Sequence, residues 1–179
     1  MKKHALLYTA FFLVAIGLLS SKTYGQSFQK GTKLVDAGIE FTDYGGADVI
    51  PFFANFEAGV TDDIGIGAKV KFWKKQEISS VIAQATGSYH FGRILNLSVD
   101  QLDIFGSLGM GINRLSVNLK DYGLGTESES GFIITPTVGA RYFFNEKVGA
   151  TARLGFDHYT FDGIGETAFI FGLGVSFKF

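Results

Sequence analysis

His90, His158 and ten charged residues are the side chains of this sequence best placed to do chemistry. His158 follows Asp157, with Asp162 nearby and Ser128 and Ser130 in an earlier segment. A histidine can activate a hydroxyl when the two are held within hydrogen-bond reach and a third group orients the ring. No spacing here fixes that reach, and an adjacent Asp-His reads as a solvated loop pair. Asp62-Asp63 lies between apolar segments, where paired acids favour a turn rather than a catalytic dyad. Gly65 and Gly67, like Gly109 and Gly111, have no helix after them, so they do not cradle phosphate. No His, Asp or Glu set has metal-ligand spacing, and there is no cysteine to supply a thiolate. No catalytic residue, metal or cofactor is therefore expected, and the chain reads as a non-enzyme.

The ten charges have a different pattern. Asp36, Glu40, Glu57, Asp103 and Asp157 are acidic; Lys69, Lys71, Arg141, Arg153 and Lys178 are basic. All lie at alternate positions opposite apolar residues. Strands place successive side chains on opposite faces. Eight such segments follow one another, led by Val35, Phe52, Ile64, Val81, Leu102, Phe132, Val148 and Phe169 on their apolar phases. The last is the clearest: Phe169, Phe171, Leu173, Val175, Phe177 and Phe179 alternate with Ile170, Gly172, Gly174, Ser176 and Lys178. Each segment is about ten residues long, enough for a tilted strand to cross hydrocarbon.

The 179-residue chain opens with a basic start at Lys2 and Lys3, an apolar run from Ala5 to Leu19 and small residues before Gln26. Residues 1–25 read as a secretory signal peptide, and 26–179 as one domain. Removing the three lysines of that leader changes the net charge from −1 to −4, which argues against nucleic acid. The full sequence holds 24 Gly, 19 Phe and two Pro, and the mature chain reads as all-β, an eight-stranded antiparallel transmembrane barrel in up-and-down order.

Lipid, not water, should lie outside. Eight strands enclose a bore that side chains only just fill. The bulky phase would overpack it, whereas the Gly, Ser and Thr phase suits it. The five acids and five bases of that phase then form a lumen ion-pair network, because unpaired charges in a narrow interior are costly. Asp103 should pair with Arg141, and Glu57 with Lys69. Ser176 faces inward, and replacing it with Ala should cost little. Phe53, Trp73, Phe105 and Phe143 fall on the inward phase and read as bulges or rim positions. Pro136 is expected near the outer rim or beside a bulge. Phe41 with Tyr44, Phe72 with Trp73, and Phe156 with Tyr159 should form an outer girdle. Tyr89, Phe91, Tyr142, Phe144, Phe177 and Phe179 should form an inner one. Connections after odd-numbered strands read as the longer, outward loops. The longest, Arg114 to Ser130, is either a mobile solvated loop or a protruding sheet edge that binds a partner by strand addition.

The closing FIFGLGVSFKF, the GSLGMGINR and the TVGARYFF resemble the small eight-stranded outer-membrane barrels of the OmpA/OmpX type, over nearly all of Gln26 to Phe179. That resemblance implies a Gram-negative outer-membrane location and a terminal strand read by the barrel insertion machinery. Phe171, Leu173, Val175, Phe177 and Phe179 would carry that signal. It implies outer-membrane lipid as the surrounding partner and a monomer. As the sequence ends at Phe179, no peptidoglycan-binding domain is expected. The family hosts several activities on one scaffold. The role expected first is structural or interactive: membrane integrity, adhesion or binding of an extracellular partner through loop Arg114–Ser130. The alternatives are a small-solute conduit and, third, a lipid-modifying enzyme.

Overall fold

The computed structural model describes residues 28–95, 101–119, 125–161 and 164–179. The proposed leader and the tip residues 120–124 lie outside them. The strands are β1 (Lys33–Tyr44), β2 (Ala47–Val49), β3 (Phe52–Gly59), β4 (Ile64–Lys75), β5 (Ile78–His90), β6 (Leu102–Asn118), β7 (Thr126–Phe143), β8 (Val148–Phe161) and β9 (Ile164–Lys178). β1 pairs antiparallel with both β2 and β3, each strand from β3 onward pairs antiparallel with the next, and β9 pairs back onto β1, so the sheet closes. Segments β2 and β3 are one wall strand. Both pair with β1 in a single register, from Tyr44↔Ala47 to Lys33↔Ala58. Pro51 interrupts the ladder because it has no N–H, but its carbonyl still accepts from the Glu40 amide at 2.8 Å. Nine segments therefore make eight walls.

Pro136 is tolerated in the same way. It faces outward opposite Leu108, and the β7–β8 register runs unchanged from Ile134↔His158 to Thr137↔Gly155. It sits neither at the rim nor beside a bulge, contrary to the sequence expectation. A proline in a closed barrel loses one rung of the ladder and need not shift the strand.

At the end carrying Lys33 and Phe179, turn side chains close the hairpins. Thr61 Oγ1 accepts from the Ile64 amide at 2.9 Å, and Asn145 Oδ1 from the Val148 amide at 2.8 Å. The far end departs from the expected long loops. β1 turns into β2 through Gly45-Gly46, with Gly46 at φ 80°, and β4 turns into β5 through Gln76-Glu77. Strands β6 and β7 stay paired as far as Asn118↔Thr126, so most of the Arg114–Ser130 stretch is ladder. The alternation of Leu115 and Val117 simply continues; backbone that would otherwise need solvation pairs with its neighbour.

Both faces are as patterned. Phe52 is 65% exposed, and Phe56, Ile66, Val70, Ile112, Val138 and Leu173 are exposed with it. Such a continuous apolar belt has no counterpart on a water-facing surface. Inside, space is short. A Cβ on Gly172 would lie 2.7 Å from Arg153 Cγ, and one on Gly139 2.6 Å from Phe105 Cζ. These glycines let large inward side chains cross the bore.

Candidate functional site: the charged bore

The inward phase assembles its charges around two hubs. Arg141 on β7 is the first. It reaches its cross-strand partner Asp103 (Nη1–Oδ2 2.9 Å), Glu57 on β3 (Nη2–Oε2 2.7 Å) and Asp36 on β1 (Nη2–Oδ2 2.9 Å). Asp36 also accepts from Ser176 at 2.7 Å and from Arg153 at 3.0 Å. All of these side chains are buried. The planar guanidinium suits this role, since its donors diverge toward several carboxylates at once.

The second hub lies nearer the far end. Lys69 meets Glu40 at 2.5 Å, Lys71 meets Glu40 at 3.0 Å, and Lys71 meets Asp157 at 2.6 Å. Thr135 donates to Asp157 at 2.6 Å, and Gln84 donates to Thr135 at 2.7 Å. Arg153 bridges the hubs, bonded to Asp36 and lying 4.3 Å from the Phe53 ring centroid. The Lys69 ammonium lies 5.3 Å from the centroid of the same ring. Lys178 stands apart near the terminal end, 4.7 Å from the ring of Phe143.

The expected Asp103–Arg141 pair is thus in contact, but Glu57 and Lys69 are not partners. Lys69 takes Glu40, and Glu57 takes Arg141 and His90. Phe53, Phe105 and Phe143 mark no bulge, since the strand registers run unbroken through them. Their rings are buried against cations, with Arg141 4.1 Å from the centroid of Phe105, where the negative face of the ring attracts positive charge.

His90 is buried and hydrogen-bonded on the inward phase, as its place in the alternation implies, but its two partners were not legible in the sequence. Its Nδ1 lies 2.7 Å from Asp103 and its Nε2 2.7 Å from Glu57, so it ties together two carboxylates that Arg141 also holds. Ser88 donates to the same Glu57 oxygen. Phe28, ahead of β1, stacks flat on His90 at 3.4 Å and packs with Leu34 and Phe143. It stoppers the terminal end, and no alternation pattern could have placed it there because it precedes the first strand.

At the far end the charges are roofed. The Tyr44 hydroxyl donates to Asp157 at 2.8 Å, and Tyr44, Trp73 and Tyr159 pack in one buried cluster with Ile82 and Ile133. The outer girdle expected from paired aromatics is therefore half a girdle. Phe41, Phe72 and Phe156 face outward and are exposed, while their neighbours Tyr44, Trp73 and Tyr159 turn inward. Adjacent strand residues must face opposite ways. His158 also lies on the outward phase, bonded through Nδ1 to Thr167 at 2.8 Å, and Ser128 bonds Ser116 at 2.9 Å. The two are not brought together.

One cavity among the ion pairs, of about 20 Å3, is bordered by Asn55, Glu57, Gln84, Arg141 and Arg153. That is room for about one water molecule.

No protein-family model and no curated protein matches the chain. Solved structures do. The N-terminal barrel of OprF from Pseudomonas aeruginosa is similar at 16% identity and a TM-score of 0.63, over 84% of this chain and 98% of that one. Neisserial surface protein A is similar at 13% and 0.64, over 83% and 96%. Ail, the attachment invasion locus protein of Yersinia pestis, is similar at 13% and 0.54, over 84% and 100%. The fold is that of the small eight-stranded outer-membrane barrels of the OmpA/OmpX type.

Proposed function

We propose that the protein resides in a Gram-negative outer membrane as a non-catalytic barrel whose work is done by its surface, in membrane integrity, adhesion or partner binding. The observation that carries this reading is the pairing of an exposed apolar belt with a bore filled by buried, paired charges around a cavity of only about 20 Å3. Such a wall holds lipid outside and passes nothing within. The network of Asp36, Glu40, Glu57, Lys69, Lys71, Asp103, Arg141, Arg153 and Asp157, with Lys178 at its edge, serves as a plug. A buried ion pair gains little stability over an apolar one, but a broken one is costly. The plug therefore favours a closed bore, in which these buried charges meet their partners.

The extended β6–β7 hairpin supports the partner-binding side of this reading, because its paired strands hold a defined edge above the belt. Ail is described as an attachment protein and in complex with the heparin analogue sucrose octasulfate, which is in keeping with an adhesive role for barrels of this shape. The C-terminal strand, with Phe171, Leu173, Val175, Phe177 and Phe179 facing outward, is the segment we assign to recognition by the insertion machinery. It closes the barrel against β1.

The test is a deletion strain and a cell fractionation. The protein should be found in the outer-membrane fraction, migrating differently on gels before and after boiling. Its loss should alter detergent sensitivity or adhesion. Recovery as a detergent-free soluble species would overturn the reading.

A further inference from the structure

The far half of the bore opens into a cup of about 620 Å3, on top of the roof over the ion pairs. Its volume lies in the range of small-molecule sites. The floor is aromatic. Tyr44 stacks on Trp73 with 5.5 Å between centroids and tilts against Tyr159 at 5.0 Å, and Tyr159 meets Phe161 edge-on at 5.7 Å. Val49, Leu115 and Ile164 line the walls. Trp73 is 5% exposed, and its indole Nε1 has no hydrogen-bond partner. The floor is closed below by the Tyr44–Asp157 bond and by Ile82 and Ile133, so the cup is blind.

The mouth is acidic. Glu129 and Glu166 line it directly. Asp43, Asp48, Glu77 and Glu127 occupy the same strand ends, against Lys74, Lys75 and Arg114. Lys75 is turned to the rim, where its ammonium donates to the Asp48 carbonyl at 2.8 Å. Glu166 accepts from the Tyr159 hydroxyl at 2.7 Å, which places a carboxylate against the aromatic floor. Ring faces carry negative potential and hold cations, most strongly where water is excluded. Carboxylates at the entrance add to the same field.

We propose that this cup binds a lipophilic organic cation, an alkylammonium or arylammonium, with its apolar body on Tyr44, Trp73 and Tyr159 and its charge toward Glu129 and Glu166. An anion of the same size meets the same apolar floor but an opposing mouth. The site goes beyond the surface role proposed above, because it needs neither the hairpin nor a macromolecular partner.

Trp73 is the chain's one tryptophan, so its indole N–H resonance and its fluorescence report on this cup alone. The folded barrel in phosphatidylcholine nanodiscs is titrated with benzyltrimethylammonium, and separately with benzenesulfonate. The cation should shift the indole resonance saturably, and the anion should act at least about tenfold more weakly. Glu129→Gln should weaken the cation about fivefold, as one exposed charge does. Ala47→Phe, which fills the cup, should abolish saturation. Leu115→Phe fills it from another wall and serves if Ala47→Phe loses its heat-shifted gel mobility. Equal responses to the two probes would overturn the proposal. So would a response that survives cup filling, which reports partition into lipid, or no saturable shift at all.

Discussion

The middle of the bore and its far mouth are lined by the same strands on the same phase, yet they are opposite in character. The middle leaves about 20 Å3 and matches carboxylates with cations; the mouth opens to about 620 Å3 and is floored by aromatic rings. Height explains the difference. At mid-barrel the packed side chains leave little room for water, so Arg141, Lys71, Asp36, Glu40 and Asp157 satisfy one another. Near the rim water is available. Charges such as Glu129 can stand exposed there, and large rings cover the transition between the two regimes. Alternation thus decides which face a side chain takes, while depth decides what chemistry that face can carry.

If the middle is held by mutual satisfaction, removing its hub should cost most. Arg141→Met leaves Asp36, Glu57 and Asp103 without their shared cation and should lower unfolding free energy by about 3–5 kcal/mol, read by urea titration of the refolded barrel. Leu173→Arg puts a charge on the lipid face of β9, opposite Ile39 and Ala152, and should cost about 2–4 kcal/mol near the midplane by the same titration. Ser176→Ala removes one hydrogen bond to the Asp36 carboxylate and should cost about 1.5–3 kcal/mol. At the mouth the scale should collapse. Glu129→Gln, at an exposed position, should stay within about 0.5 kcal/mol. A mouth substitution as costly as Arg141→Met would erase the distinction between the two regions.

The walls of the barrel were readable from period two alone, since every segment keeps its phase through Pro51 and Pro136. The contacts across the bore were not. Cross-strand and diagonal rules describe neighbours on one wall, so they found Asp103–Arg141 but wrongly joined Glu57 to Lys69. Lys69 instead reaches past β3 to Glu40 on β1. The same limit hid the bond from Ser176 to Asp36, which raises the cost expected for its loss, and the two carboxylate partners of the inward-facing His90. A polar residue on the inward phase was the available signal for both. The loops were misjudged because polar composition marks solvent exposure, and exposed strands above the belt are polar as well. Glu127 and Glu129 look like loop residues but sit in register with Val117 and Leu115.

Single-channel recording on the purified barrel in planar bilayers tests the closed bore most directly. A lumen sealed by Arg141, Lys71 and their carboxylates predicts a flat current trace across the voltage range. Reproducible, long-lived conductance steps would contradict it.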